Sequence, residues 1–265
     1  MIVALLLRAY LRTRKLFDNK RRYGRIKDLP FGLILKIGRS RTAVEATTVN
    51  FIRSNTTIPV PRVIASDQAF GKTYMLMREV KGRDLQDMWP QLDHNQRTKV
   101  VAQLRSYVAQ LRALSPSLSR GHQAGAVCGL HYTSTRDGRI ASATPIGPFP
   151  NESAFNDHLI LAAEPFMDET TLPAIRARMR DDHRICFTHG DLAPRNIFVE
   201  GDKVTAIIDW EESGWYPEYW ETVKGMWSTI KDPEWHEAVK FIMGGDFEAD
   251  WRLDRELSDH MVGAF

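Results

Sequence analysis

Cysteine is scarce in this chain of 265 residues, in which only Cys128 and Cys186 occur, far apart in the sequence. Two such residues form no disulfide framework and lack the paired spacing that a zinc site needs. The sequence also contains no H-E-x-x-H motif, no serine-nucleophile elbow and no Cys/His pair in a catalytic context. These absences argue against disulfide scaffolds, zinc proteins and hydrolases, and they favour a reducing, cytoplasmic location.

A long hydrophobic run is missing as well. The apolar stretch over residues 1–7 is far shorter than the ~20 residues of a membrane-spanning helix. Positive charge follows this stretch, whereas in a signal peptide the charge comes first. Residues 8–27 contain nine Lys or Arg and one acid. We therefore predict a basic amphipathic arm over residues 1–30 that packs its apolar face on the rest of the chain, with contact to a membrane surface as the alternative.

The segment after this arm has the pattern of a small β-sheet with one helix. The apolar run over residues 31–37 predicts a strand that places Lys36 among apolar neighbours. Thr42 and Glu45 have the spacing of a capping box, which predicts a helix over residues 43–53. The prolines in residues 58–61 then favour an extended segment. Two further strands are predicted at residues 62–66 and 73–80.

The larger remainder of the chain is predicted to be mainly helical. Apolar residues recur at helical spacing over residues 94–114, which is typical of a helix that packs on a core. A Ser-, Gly- and Pro-rich stretch over residues 115–150 indicates a long loop. Two helices are predicted at residues 152–163 and 171–181, followed by a strand at residues 185–188. A hairpin with strands at residues 197–199 and 204–208 precedes a mainly helical C-terminal end. We thus expect an α+β fold of two lobes, with a small sheet-containing N-lobe over residues 31–80 and a larger, mainly helical C-lobe over residues 81–265.

Two short motifs carry the strongest functional signal. H-G-D-L-A-P-R-N at residues 189–196 is followed by I-I-D-W at residues 207–210. Asp191, Asn196 and Asp209 therefore have the carboxylate, amide, carboxylate order of kinase active sites. Phosphoryl transfer needs a carboxylate near the attacking hydroxyl, hard oxygen ligands for Mg²⁺ and a lysine on the phosphates. Each residue alone is explained equally well as a turn, loop or capping residue, but their joint spacing around a predicted hairpin favours the functional interpretation.

This pattern resembles the aminoglycoside phosphotransferase family of protein-kinase-like kinases that act on small molecules. The resemblance covers residues 31–222 and implies a protein-kinase-like fold with ATP and Mg²⁺ as cofactors. The implied reaction transfers a phosphoryl group to an alcohol group of the acceptor. The resemblance further implies Asp191 as the catalytic base or substrate-orienting carboxylate, with Asn196 and Asp209 as the metal ligands.

The resemblance extends to a nucleotide site in the N-lobe. Lys36 is similar to the phosphate-binding lysine of the family, and Glu45 is similar to its helix-borne partner, although the capping box explains Glu45 without an ion pair. The segment over residues 74–82 is similar to the last strand of the lobe and the hinge, whose backbone groups would meet adenine. The residues implied as cofactor-binding in this segment are Met77, Arg78, Glu79 and Val80.

The chain departs from the family where the phosphates would be covered. Only Gly24 and Gly32 precede Lys36, and no G-x-G-x-x-G motif occurs there. Two alternatives therefore stay open: a nucleotide-binding protein without turnover, and a membrane-surface or scaffold protein whose basic arm is the functional element. We expect His189 to orient the catalytic loop through hydrogen bonds rather than to act as a general base.

The partner is expected to be a small-molecule acceptor, and no nucleic-acid partner is expected. Asp209 is followed almost at once by E-E-S-G-W-Y-P, which leaves little room for the activation segment that carries peptide substrates in protein kinases. Four glutamates lie close behind, and they would attract a cationic or amino-sugar-like acceptor if they form one acidic wall. A solvated acidic face is the alternative. The four residues are Glu211, Glu212, Glu218 and Glu221.

Tryptophan is concentrated near the C-terminal end, where six of the seven tryptophans occur. Aromatic residues at helical spacing belong to a core more often than to a ligand-binding box. We therefore predict that these side chains pack in the core of the C-lobe.

Overall fold

The computed structural model describes residues 25–135, 145–168, 170–227 and 233–259. Most of the basic arm predicted over residues 1–30 lies outside these ranges. Within them, no helix combines the length and the apolar character needed to cross a lipid bilayer.

The N-lobe is built on a four-stranded antiparallel sheet with the strand order β1, β2, β4, β3. Lys36 lies in the second strand, where it is paired with Ile26 on one side and Met75 on the other. The first strand lies within the range that the sequence assigned to the arm, so the sheet already begins at Ile26. The strands are β1 (Ile26–Leu29), β2 (Leu33–Gly38), β3 (Val63–Ala69) and β4 (Lys72–Arg78).

Both hairpins of this sheet turn through the dipeptide Phe-Gly. Phe31 and Gly32 connect β1 to β2, and Phe70 and Gly71 connect β3 to β4. All four residues have positive φ values, between 54° and 68°. Tight hairpins favour positive φ at their central residues because that backbone twist matches the twist of the strands. The two turns lie at opposite ends of the strands. The reason is that β2 begins at the first turn, β4 begins at the second, and these two strands are antiparallel neighbours.

Helix α1 (Ser40–Asn55) packs on this sheet and corrects one prediction. The helix begins before Thr42, its N-cap residue is Arg39, and no capping hydrogen bond from a side chain occurs there within the described residues. The capping box predicted at Thr42 and Glu45 is therefore wrong. Thr42 instead packs against Gly38, where a Cβ atom would collide with its hydroxyl, and Glu45 is drawn into a tertiary contact described below.

Seven helices of the C-lobe lie within the described residues. The longest, α3, buries the predicted apolar stripe and is capped at its start by a reciprocal pair of Asp93 and Gln96. Four of the six tryptophans near the C-terminal end are almost completely buried, so their prediction as core residues is confirmed for Trp210, Trp215, Trp220 and Trp235. The helices are α2 (Leu85–Met88), α3 (His94–Ala113), α4 (Glu152–Ala163), α5 (Thr171–Arg178), α6 (Trp220–Met226), α7 (Pro233–Met243) and α8 (Glu248–Ser258).

Two three-stranded sheets position the segments with the kinase-like motifs. One has the order β5, β8, β9 and the other has the order β6, β10, β7. Strand β10 lies in a region that we predicted to be mainly helical; it forms because it pairs antiparallel with both β6 and β7. The strands are β5 (Arg83–Asp84), β6 (Cys128–Gly129), β7 (Ile185–Thr188), β8 (Ile197–Glu200), β9 (Lys203–Ile207) and β10 (Gly214–Pro217). The predicted two-lobed α+β class is confirmed.

Candidate active site

The segment over residues 189–191 leaves the end of β7 through a turn that requires glycine. Gly190 has a φ of +81°, and a Cβ atom there would lie 2.5 Å from the carbonyl oxygen of Glu212. Both the left-handed backbone and the close approach exclude other residues. The glycine of the H-G-D motif therefore sets the position of Asp191.

His189 joins this loop to the strand that precedes Asp209. Its Nδ1 atom accepts a hydrogen bond from the backbone N–H of Asp191 at 3.1 Å, and its Nε2 atom lies 3.0 Å from the carbonyl oxygen of Ile208. Because Nδ1 accepts, the ring proton is on Nε2 and is donated to Ile208. The backbone N–H of Ile208 in turn donates to the carbonyl oxygen of Asn196 at 2.9 Å. The structure thus brings the two motifs together, with His189 in the hydrogen-bonded role predicted for it.

Glu221 lies beneath the loop and was not predicted to have this position. Its buried carboxylate accepts hydrogen bonds from the backbone N–H groups of His189 at 2.6 Å and Gly190 at 3.3 Å. Burial raises the pKa of this carboxyl, and the hydrogen bonds, which favour its charged form, offset only part of that effect. The glutamate satisfies two backbone donors that would otherwise be buried without a partner.

The carboxylate of Asp191 is held by two neighbours in the loop. Nη2 of Arg195 donates to its two oxygens at 2.6 and 2.8 Å, and Nδ2 of Asn196 donates to Oδ2 at 2.8 Å. Nδ2 of Asn196 also donates to the backbone carbonyl of Asp191 at 2.9 Å. The amide nitrogen is therefore engaged, and Oδ1 of Asn196 is the side-chain atom that could bind a cation. Arg195 was missed, although it lies inside the motif four residues after Asp191.

Lys36 connects the two lobes through a pair of carboxylates. Its Nζ atom lies 2.7 Å from Oε2 of Glu45 and 2.9 Å from Oδ1 of Asp209. The side chains of Lys36 and Glu45 are 12% and 4% exposed, whereas that of Asp209 is 38% exposed. The predicted neighbours thus lie together in a largely buried cluster that opens to solvent on the side of Asp209.

The charges in this cluster shift each other's ionisation. Burial alone would lower the pKa of Lys36, but Glu45 and Asp209 outweigh burial and raise it. Burial raises the pKa of Glu45 to about 7. The positive charge of Lys36 lowers this pKa, but the negative charges of Asp209 and Glu211 oppose that lowering. The ammonium group of Lys36 lies within hydrogen-bond distance of the carboxylates of Glu45 and Asp209, and such charge-assisted hydrogen bonds are strong.

The backbone of Asp209 is in the left-handed conformation. Asp209 has φ and ψ values of +65° and +58°, and within the described residues its side chain makes no capping hydrogen bond to the short helix that follows. A non-glycine residue in this conformation is strained, and such strain is concentrated at functional sites. Carboxylate oxygens of Glu45, Asp209 and Glu211 all lie within 4.8 Å of one another, so this end of the site has an oxygen-rich, cation-binding character.

The predicted hinge residues continue from the last strand of the N-lobe. Met77 is paired within the sheet, and the backbone N–H groups of Arg78 and Glu79 donate to the carbonyl oxygens of Arg62 and Gly32 at 3.0 and 2.9 Å. The Arg78 guanidinium also donates to the carbonyl oxygen of Phe31 at 3.0 Å. Among the residues that the structure describes, the N–H of Val80 has no hydrogen-bond partner.

The four glutamates behind Asp209 do not form one acidic wall. Glu221 is buried beneath the catalytic loop, Glu212 lies 3.2 Å from Lys224, and Glu218 lies 3.5 Å from Arg184. The interpretation of these four residues as a single surface for a cationic acceptor is therefore wrong, because Glu212, Glu218 and Glu221 each have their own partner inside the C-lobe, whereas Glu211 lies beside Asp209.

A fold of two lobes, with a lysine and two carboxylates at their junction and a third carboxylate on the loop that follows β7, has the layout of a phosphotransferase. A family model described as "Phosphotransferase enzyme family" matches residues 32–257. The chain belongs to this family and is a kinase-type phosphotransferase, so the resemblance noted from its motifs is confirmed. No curated protein matches the sequence at a significant level.

Solved structures with this fold include several aminoglycoside phosphotransferases. An aminoglycoside-3'-phosphotransferase of type VIII is 17% identical, with a TM-score of 0.60 over 92% of this chain and 91% of that chain. A GDP and kanamycin complex of APH(2")-IIIa is 15% identical, with a TM-score of 0.58 over 95% and 86%. A ternary complex of streptomycin, ATP and APH(2")-IIa is 11% identical, with a TM-score of 0.57 over 94% and 90%. At these identities the likeness establishes the fold.

Proposed function

We propose that this protein transfers a phosphoryl group from ATP, in the presence of Mg²⁺, to a hydroxyl group of a small molecule. The observation that carries the proposal is the contact of Lys36 with Asp209 next to the catalytic loop. This contact joins the N-lobe strand to the C-lobe hairpin, and the backbone bonds at Ile208 join the same hairpin to Asp191 and Asn196.

The residues present fit a nucleotide bound with a metal ion. Oδ1 of Asn196 and the exposed carboxylate of Asp209 are hard oxygen donors of the kind that Mg²⁺ prefers. Lys36 supplies a positive charge for phosphate oxygens, and the N–H of Val80 is a donor for the nucleotide base. When bound, Mg²⁺ would offset the negative charge of the phosphate groups.

Asp191 is proposed as the residue that acts on the acceptor. Its carboxylate, held by Arg195 and Asn196, can orient a hydroxyl group by accepting its hydrogen bond and can take its proton late in the transfer. Arg195 holds the carboxylate in one orientation, so that the acceptor meets a pre-positioned base.

The acceptor is proposed to be a small polar molecule with an alcohol group, in the class of amino sugars. Between Asp209 and β10 there is room for only a short helix over residues 210–212, so no long segment is present there to carry a peptide. Two of the similar structures named above contain kanamycin or streptomycin. A location in the cytoplasm is part of the proposal and is supported by the unpaired state of Cys128 and Cys186. The boundary at residue 80 is proposed as the end of the N-lobe, and the limit of the arm proposed at residue 30 is moved to before β1, which begins at Ile26.

The proposal is tested first by ligand binding and then by turnover. Millimolar Mg-ATP or Mg-ADP should raise the melting temperature of the folded protein, because a ligand that binds only the folded state stabilises it by mass action. ADP release should then be measured with amino sugars, choline-like amines, amino alcohols and simple sugars as acceptors. The variant Asp209→Ala serves as the control and should lose the shift that depends on the metal. The absence of any shift in the wild-type protein would overturn the proposal.

A further inference from the structure

A cavity of about 290 Å³ lies between α3 and α7, and none of its lining residues belongs to the candidate active site. Three arginines, Arg105, Arg112 and Arg184, line it together with apolar side chains such as Val108 and Ile242. Its volume is close to the lower limit of small-molecule sites in proteins. The cavity therefore combines an apolar wall with three guanidinium groups.

Two of these guanidinium groups are bound only to neutral acceptors in the described part of the chain. Arg105 donates to the carbonyl oxygen of Phe241 at 2.9 Å. Arg112 donates to the carbonyl oxygens of Met243 and, at 2.8 Å, Glu218. Carbonyl groups accept these hydrogen bonds but do not neutralise the charge, so both guanidinium groups attract an anion. Part of the charge of Arg112 is matched by the buried carboxyl of Glu221, whose burial-raised pKa it partly offsets.

The third arginine has one acidic neighbour. Nη2 of Arg184 lies 3.5 Å from the carboxylate of Glu218, and both side chains are partly exposed. A pair at this distance is weak in a solvated setting. The lining of the cavity thus keeps a net positive charge.

The guanidinium groups are ordered before any ligand arrives. The guanidinium of Arg105 lies 4.2 Å from the centre of the Phe241 ring, and Arg112 is held by carbonyl groups from two different segments. An arginine that is already fixed loses little conformational entropy when it binds a carboxylate or phosphate, and its planar fork matches both groups.

We propose that this cavity binds a small organic anion, a carboxylate or phosphate ester carried on a short apolar body. The arginines would bind the anionic group, and the wall formed by Val108, Ile242 and the neighbouring Ala109 would contact the apolar body. Both halves are needed, because the charged rim alone would bind inorganic ions as well and the apolar wall alone is small.

Phenyl phosphate is a suitable probe, and its binding to the full chain can be followed by calorimetry. Saturable binding is expected, with inorganic phosphate and benzyl alcohol each at least tenfold weaker, since each has only one half of the probe. The double variant Arg105→Gln/Arg184→Gln should weaken phenyl phosphate binding tenfold or more. The matched control is Arg178→Gln/Arg252→Gln, which removes the same charge from exposed positions on α5 and α8 and should leave the affinity unchanged.

A second variant tests the cavity without changing its charge. Ala109→Phe would fill the space beside α3 and should abolish binding of phenyl phosphate while circular dichroism and the melting temperature show a folded protein. Absence of saturable binding to the wild-type protein would overturn the proposal. Equal weakening in the two double variants, or undiminished binding to Ala109→Phe, would overturn it as well.

Discussion

The catalytic loop belongs to the C-lobe and the β1–β2 turn belongs to the N-lobe, and the two segments are held in different ways. The loop over residues 189–196 is largely buried, and Glu221 beneath it satisfies its backbone donors. The β1–β2 turn is exposed and carries Phe31 in a left-handed conformation. It is joined to the hinge by hydrogen bonds to Arg78 and Glu79.

This difference separates two physical requirements. Groups that react must be held within about 0.5 Å of their productive positions, which buried and fully bonded segments achieve. A nucleotide has to enter and leave, so the elements that cover it belong to the less stable part of a fold. We therefore expect substitutions in the loop to have large effects on turnover or stability, and substitutions in the turn to have small effects on affinity.

The largest effect is expected for Asp191→Asn. The asparagine cannot accept the proton of the acceptor, so kcat should fall by on the order of a hundredfold or more with little change in the KM for ATP. Steady-state ADP release at saturating ATP measures this once an acceptor is known. The comparison would fail if the variant kept near-normal turnover, because the buried loop would then hold no catalytic carboxylate.

Asp209→Ala provides the contrast to that variant. Of these two carboxylates, only that of Asp209 is expected to bind the metal, so calorimetry with Mg-ADP should show a loss of affinity for Asp209→Ala and nearly unchanged affinity for Asp191→Asn. Equal losses in both variants would mean that the roles of the two carboxylates are assigned wrongly.

The next effect concerns the support of the loop by Glu221. Glu221→Ala leaves the backbone donors of His189 and Gly190 buried without an acceptor, at a cost of about 1–3 kcal/mol for such a group. We expect the free energy of unfolding to fall by about 2 kcal/mol, as measured by urea denaturation. Glu218→Ala, three residues earlier and paired with Arg184 at 3.5 Å, should change it by less than about 0.5 kcal/mol. Similar losses in both variants would show that Glu221 has no special role beneath the loop.

A smaller effect is expected on the nucleotide side, at Lys36. Replacing both members of the buried pair in Lys36→Met/Glu45→Gln avoids leaving one charge buried alone. A hydrogen bond to a charged group is worth about 1.5–3 kcal/mol, so the affinity for Mg-ADP should fall at least about tenfold. Lys72→Met, in the same sheet but at the end beside the β3–β4 turn, should leave the affinity unchanged. A fold that stays intact with unchanged affinity in the double variant would remove Lys36 from the proposed nucleotide site.

The sequence predicted well those parts of the molecule that depend on local pattern. The helix over residues 94–114 and the hairpin that separates Asn196 from Asp209 have the predicted positions to within two residues. Their signals are the apolar period and the turn residues, both of which are short-range.

The failures occur where long-range contacts outweigh local pattern. Glu45 has the spacing of a capping residue, but the packing of α1 on the sheet places it against Lys36. The β10 strand exists because β6 and β7 flank it, and no local signal indicates such a pairing. Glu221 is one of four similar glutamates in the sequence, and only the fold places it beneath the catalytic loop.

The smallest effect is expected at the Phe-Gly turns, which provide a matched pair of positions. The side chains of Phe31 and Phe70 are exposed, at 88% and 61%, and both have left-handed backbones. Left-handed geometry costs most L-residues about 1–2 kcal/mol, whereas asparagine tolerates it better, so Phe31→Asn and Phe70→Asn should each raise the free energy of unfolding by about 0.5–1 kcal/mol.

The two variants should differ in nucleotide affinity, because of these two residues only Phe31 lies next to the hinge, through the bonds of its turn to Arg78 and Glu79. Loss of its ring should therefore weaken Mg-ADP binding by a few-fold, in keeping with the about 0.5–1.5 kcal/mol of an aromatic contact, while Phe70→Asn should not. Thermal melts and calorimetric titrations of both variants separate these effects. Equal affinities in the two variants would show that the exposed turn contributes nothing to the nucleotide site and that the comparison holds for stability alone.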